Sequence, residues 1–487
     1  MAWEWKNELD EQVRHSPLID GDRNIYLQTA MRVLKFSVDG ILLWSWEVNR
    51  TSDGKMTTAP VLYNGMLVLL TNWNHGCAQR AREYHSAMVA LSMETGEALW
   101  RKDLTHCIGL DAGSLYVEDE VFVFGVNEPA RESPDMSHGT QIVVGVNASS
   151  QEELWQYYPD DQLWNFMPSS VGDGSIMFSS TCGVVYRINL TTGVLIWQGG
   201  SPNTYGSLRW CGCGGGVVGR DGSFYAEYNE HWTAVKEKPW KTSLGHIAAF
   251  RVSDGTRLWD RAFGPARKGF GDTDLDSVHG IMSPRRQDLG GWQYPAVGMI
   301  DGRWIVVCAA GGITDVPQYP FHWVAPEWLK LAHWLAYLHV PLYRRYVVKP
   351  PELPNEVIAF DAESGAVMWR YAMPVWNHFS ANSDEREAQR RYAALSAAGA
   401  QGLHMDMLCV PDNQGIPVIT GDGAVLASDS HEGALYVIKD ANKDGVITGD
   451  EVVKFATNNE FLNSPSLAPG MVVAAPCWGS AHILREY

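Results

Sequence analysis

Apolar and polar positions alternate through most of this chain in stretches of roughly four to eight residues, the period of a half-buried β-strand. Two such stretches joined by a turn recur with a Trp at a fixed place. The strong copies are MVALSMETGEALW ending at Trp100, VYRINLTTGVLIW at Trp197, IAAFRVSDGTRLW at Trp259 and VIAFDAESGAVMW at Trp369. VLKFSVDGILLW, ending at Trp44, and VVGVNASSQEELW, at Trp155, are weaker ones. Gly40, Gly96, Gly193, Gly255 and Gly365 each stand four residues before their Trp, where a hairpin turn demands positive φ. An inner-strand signal accompanies each repeat: SPLID at 16, APVLY at 59, GSLYVED at 113, PSSVG at 168, GGVVG at 215, YPAVG at 294, PVITGDG at 417 and SPSLA at 464, eight in all. The pattern predicts an all-β fold, an eight-bladed β-propeller forming a single domain over residues 1–487. The last blade reaches Tyr487 with three strands, and Trp3-Glu4-Trp5 mirrors Trp44-Ser45-Trp46 of the first hairpin. The N-terminal strand is therefore expected to complete blade 8 and close the ring, leaving no free sheet edge.

These hairpins resemble the pyrroloquinoline-quinone (PQQ) repeat, Ala-x-Asp-x-x-Thr-Gly-x-x-x-Trp. Ala90, Thr95, Gly96 and Trp100 fit it, as do Ala249, Gly255 and Trp259, and Ala359, Gly365 and Trp369. The resemblance implies a propeller of the quinoprotein alcohol dehydrogenase-like family, whose hairpin joins the third and fourth strands of a blade and whose Trp docks between blades. A large flat ring suits the wedge between two twisted sheets.

In such a propeller the loops between second and third strands, and those between blades, share one face, and the hairpins lie on the other. The long segments 72–86, 228–245, 260–292, 311–354 and 375–405 all map to the first face. Loops on a rigid scaffold are where binding sites concentrate, so this insertion face is the expected functional one. Helical insertions are expected there. Pro326 to His339 reads as a helix with a narrow polar stripe of Glu327, Lys330 and His333. It stands open as a lid on the propeller, a partner-docking helix, or a helix of 326–340 on a membrane surface, with Trp323, Trp328 and Trp334 at the interface and Arg344-Arg345 following. It is too short to span a bilayer. A second helix is expected between the capping signal Asn382-Ser383-Asp384-Glu385 and Gly399.

Composition narrows the partners. A net charge of −18 with no basic block excludes nucleic acid; protein or small-molecule ligands remain. The eight Cys include no CxxC, and a chain of 487 residues needs no disulfide framework. Cys211-Gly212-Cys213 reads either as small buried residues or as a redox or soft-metal pair. No apolar h-region follows Met1, so no secretory leader is expected in this stretch, and the sequons at Asn49, Asn147 and Asn189 are about as many as chance gives. The compartment stays open.

Two segments carry candidate chemistry. Asp440-Ala-Asn442-Lys-Asp444-Gly445-Val446-Ile-Thr448-Gly-Asp-Glu451 matches the EF-hand-type calcium loop at each liganding position. Asp440, Asn442, Asp444, Val446 (through its carbonyl), Thr448 and Glu451 are the expected metal ligands. The loop replaces a hairpin turn between two strands, so calcium is expected to act as a structural staple on the hairpin face, since strands do not reorient as sensor helices do. After Trp259 the chain continues DRAFGPARKGFGDTDLDSVHG. The resemblance implies that a Pro and an Asp-x-Asp after one docking Trp supply a base and a metal ligand in the dehydrogenases. Pro265 stands in place, with Asp272, Asp274, Asp276 and His279 slightly late. Asp272 or Asp274 would then be the base; the other reading is a solvated acidic loop. The vicinal Cys pair of those enzymes and the Glu and Asn of their metal site have no counterpart found here. Two functions stand: a calcium-stabilised propeller that binds or scaffolds through its loop-rich face, and a PQQ-dependent type of oxidoreductase acting on an alcohol.

Overall fold

The computed structural model describes residues 3–5, 12–13, 15–49, 55–56, 58–72, 86–108, 113–126, 142–161, 163, 165–180, 183–200, 215–229, 245–264, 289–291, 293–311, 332, 335–336, 339–343, 354–375, 415–429, 432–461 and 463–485. Their strands form eight separate antiparallel sheets, each running from an inner to an outer strand. Blade 4 is typical, with Ser169–Ser170, Ser175–Ser179, Val185–Asn189 and Leu195–Gly199 in order. Blades 2 and 6 add a short fifth strand, Lys55–Met56 and Gly290–Gly291.

The core is distributed. Apolar clusters fill the wedge between each blade and the next: Val68, Leu70 and Met88 of blade 2 meet Phe122 and Phe124 of blade 3, and Met177 and Val185 of blade 4 meet Phe224 and Ala226 of blade 5. A second or third strand therefore buries both its faces. Phe224 packs towards blade 4 and its neighbour Tyr225 towards blade 6. That explains near-continuous apolar runs such as MVALS, whereas outer strands keep one face in water.

A β-bulge sets the Trp. In six outer strands the register skips the residue just before the Trp: Lys35 pairs Trp44 and Phe36 pairs Leu42, leaving Leu43 unpaired, and blades 2 to 6 repeat this. The bulge turns Leu43, Leu99, Leu154, Ile196 and Leu258 outward, all 42% exposed or more, and aims the indole across to the following blade. There four of the six rings lie on the hairpin Gly. A Cβ on Gly96, Gly193, Gly255 or Gly365 would lie 2.5–2.7 Å from Trp44, Trp155, Trp197 or Trp259 respectively. Each indole N–H donates to a turn carbonyl of that next blade: Trp44 to Met93, Trp155 to Leu190, Trp197 to Val252 and Trp259 to Ala362. In blades 1 and 4 a buried cation reaches the same oxygen, Lys35 Nζ to Met93 at 2.6 Å and Arg187 Nη1 to Val252 at 2.8 Å.

The turns are capped from within. Asn189 Oδ1 accepts the N–H groups of Thr191 and Thr192, Asn147 Oδ1 those of Ser149 and Ser150, and Asp361 Oδ1 that of Ser364. Two of the sequon asparagines are thus turn-capping residues. In blade 3 Gln151 takes the place of Gly at φ 56°.

The ring closes as expected. Trp3–Trp5 pairs antiparallel with Ala481–Arg485, Trp3 opposite Ile483 and Trp5 opposite Ala481, to make the outer strand of blade 8. Trp5 packs on Phe36 of blade 1 with ring centroids 5.9 Å apart. The expectation of helical insertions is not borne out: among the described residues the single named helix is the short turn Gly449–Glu451. Segments 72–86, 228–245, 260–292, 311–354 and 375–405 lie largely outside those residues, the 382–399 helix wholly so. Of Pro326 to His339, Ala332, Leu335, Ala336 and His339 are described; they are helical, and Val340 N–H donates to the Ala336 carbonyl. No helix among the described residues is long and apolar enough to cross a membrane.

Candidate functional site

At the insertion face, polar side chains at the ends of second strands hold the segments that lead from blade to blade. Gln28 Nε2 donates to the Thr58 carbonyl, Asn72 Nδ2 to that of Ile108, and Ser179 Oγ bonds both N–H and carbonyl of Gly215. Asn229 makes two 2.8 Å bonds to the backbone of Gly291, and Asn463 Nδ2 reaches the Val13 carbonyl at 3.1 Å. Cys107 and Cys477, both fully buried, are disulfide-bonded. Disulfides are thus present in a chain whose size needs no disulfide framework for its core. Side-chain ties to backbone thus fix the described ends of these connections along the rim.

Blade 5 carries a cluster of ionisable groups at this rim. His246 Nδ1 lies 2.8 Å from Asp260 Oδ1, the Tyr228 hydroxyl donates to Asp260 Oδ2, and the Tyr228 ring stacks on the imidazole. Despite burial, these hydrogen bonds hold the Asp260 carboxyl below the usual carboxylate range. The geometry resembles a proton-transfer dyad, but blade 6 has an ion pair at the equivalent positions: Arg370 Nε sits 2.7 Å from the fully buried Glu356. Two blades with one arrangement point to a structural tie. Asp272, Asp274, Asp276 and His279 lie outside the described residues, as do Pro265, Cys211 and Cys213.

The loop of residues 440–451 is described throughout. It joins Ala434–Ile438 to Val452–Ala456, which pair directly, so strands flank it. Gly445, at the loop's sixth position, has φ 77°, and Lys443 has φ 63°. Asp440 Oδ2 accepts the Gly445 N–H at 3.0 Å, Asn442 Oδ1 that of Asp444 at 2.9 Å and Asp444 Oδ1 that of Val446 at 2.8 Å. Glu451 folds back over the loop, accepting the N–H groups of Ala441 (2.8 Å) and Thr448 (3.0 Å). The bond from Thr448 is the largest influence lowering its pKa below the usual range. Asp440 Oδ1 is buried with no hydrogen-bond partner. An orphaned buried carboxylate oxygen is the kind of atom that a cation would satisfy. Among the described residues no group of three or more His, Cys, Asp and Glu side chains converges on a metal position, and Asp440, Asp444 and Glu451 of this loop are no exception. The loop also touches blade 6, through Lys443 Nζ at 2.9 Å from Asp301 and through Ile447 in the blade 6–7 wedge.

With this architecture in hand, the likeness to known proteins can be stated. The family described as outer membrane protein assembly factor BamB matches residues 2–198 and 85–279, more than half of the chain. The chain belongs to this family of PQQ-like repeat propellers. Similar solved structures include BamB from Moraxella catarrhalis, 12% identical with a TM-score of 0.55 over 99% of this chain and 100% of that one. Quinohemoprotein alcohol dehydrogenase ADHIIG from Pseudomonas putida HK5 has a TM-score of 0.57 at 12% identity, covering all of this chain and 76% of that one. A europium-containing methanol dehydrogenase has a TM-score of 0.55 at 11% identity, over 99% of this chain and 85% of that one. At such identities the likeness is one of fold. No curated protein sequence matches the chain.

Proposed function

We propose that this protein is a binding propeller of the BamB type, which takes a partner protein or a small ligand on its insertion face and performs no redox chemistry of its own. The observation that carries this reading is the BamB family match across residues 2–279. The shared fold with a BamB structure is consistent with it. The rim of side-chain anchors supports it as well: a scaffold that binds through long loops gains affinity when their ends are fixed. Calcium, held by Asp440, Asn442, Asp444, the Val446 carbonyl, Thr448 and Glu451, serves as a staple on the hairpin face. It supplies the positive charge that the orphaned Asp440 oxygen lacks.

The second reading is an alcohol-oxidising quinoprotein with Asp272 or Asp274 as the base that takes the hydroxyl proton; it is favoured by the shared fold of the dehydrogenases. PQQ, when bound, would be the two-electron acceptor. The discriminating experiment is alcohol-dependent dye reduction with added PQQ and calcium, for the wild type and for Asp272→Asn and Asp274→Asn. A binding propeller gives no turnover in any of the three. Turnover in the wild type that is lost in either variant would establish the oxidoreductase.

A further inference from the structure

The wedge between blades 5 and 6 holds two buried acids, and among the described residues only one of them has a cation. Glu356 is paired with Arg370, whose guanidinium also donates to the Phe263 carbonyl at 2.7 Å. Glu227, in the second strand of blade 5, is 4% exposed, and neither of its carboxyl oxygens has a hydrogen-bond partner. The donors that approach it are the thiol of the free, fully buried Cys308 and the Gln293 backbone N–H, and neither makes a well-formed bond. On its own face of blade 5, Tyr225 is committed to Asp221 and to the Ala362 carbonyl, and Arg261, on the exposed outer strand, to the Ser364 carbonyl. A carboxylate so enclosed is neutralised by a proton, because an uncompensated buried charge costs several kcal/mol or more. Burial accordingly raises its pKa well above the ordinary value.

Its position gives that proton something to control. The short strand Gly290–Gly291 closes over Glu227; a Cβ on Gly291 would lie 3.0 Å from Glu227 Oε2. This strand is where the 260–292 segment re-enters the fold, and Asn229, two residues along, clamps it. Register places Gln28, Leu70 and Ser179 at the equivalent position of blades 1, 2 and 4, so an acid here is a choice of blade 5 and not a demand of the repeat. We propose that Glu227 is a proton-operated latch on the strand Gly290–Gly291: while the carboxyl is neutral the strand closes over it, and ionisation drives that strand off. Its contribution is complete below the ordinary carboxylate range and falls as pH rises towards its raised folded-state value.

Hydrogen exchange of the peptide spanning residues 289–293, followed against pH and corrected for intrinsic rates, tests this. If opening exposes the carboxyl, protection should fall by about tenfold per pH unit above the ordinary carboxylate range, and in Glu227→Gln and Glu227→Leu it should be flat. Both replacements have precedents in Gln28 and Leu70, so at least one is expected to fold. The infrared carbonyl band of a protonated carboxylic acid should also be present at neutral pH and vanish in Glu227→Gln. Protection that is flat in the wild type, or that keeps its slope in the variants, overturns the proposal, as does the absence of that band.

Discussion

At Gly255 one added methyl group would lie 2.6 Å from the Trp197 ring, on a backbone already at φ 73°. The same atom position is a turn requirement and a docking surface, so Gly255→Ala meets both penalties, left-handed strain and overpacking. Together these amount to about 2–5 kcal/mol. Trp197→Ala removes the other half of the contact and should cost about 3–5 kcal/mol. Urea unfolding of both single variants and the double variant checks this. Because they break one contact, the double should be less destabilised than the sum; strict additivity would contradict the docking role. Residues of this kind are legible in the sequence because Gly and Trp have few other reasons to recur at fixed spacing. Glu227 was not legible: a single Glu in an apolar run, YAEYN, shows its burial only when blade 6 is laid against it.

At the scale of the element, the hairpins were readable to the residue, because turn chemistry is local. Asn189 or Asp361 caps the turn, Gly takes positive φ and Trp follows. The bulge before the Trp was not, since register depends on the partner strand. Blade 3 read weakly for a physical reason, Gln151 standing where its neighbours use Gly. The helices expected in the insertions are not borne out, and the insertions themselves lie largely outside the described residues. The loop of residues 440–451 makes a sharp prediction. Chelation of calcium should lower the melting temperature, Asp440→Asn should reproduce the loss, and calcium should no longer shift that variant; a melting point indifferent to chelator would remove the staple. Glu451 adds a pH dependence. Its pKa is lowered in the fold, so its contribution is present above the ordinary carboxylate range and is lost as pH falls through the depressed value. Glu451→Gln should flatten the acid limb of a thermal-stability profile.

For the whole molecule, the eight wedges make stability a property of the closed ring. Deleting residues 1–5 strips Trp3 and Trp5 from their partners Ile483 and Ala481 and uncovers Phe36. Calorimetry should show a lower melting temperature and a less cooperative transition than in the full chain, whereas an unchanged transition would deny the closure its role. Closure also gives the protein two unlike faces, one of tight capped turns with the calcium-type loop, the other a rim of anchored loops. The central claim, that the second face binds without PQQ-dependent chemistry, is tested most directly by titrating the purified protein with PQQ in the presence of calcium while following Trp fluorescence. No saturable quenching at high PQQ is the predicted result; saturable quenching that disappears in Asp272→Asn or Asp274→Asn would contradict it.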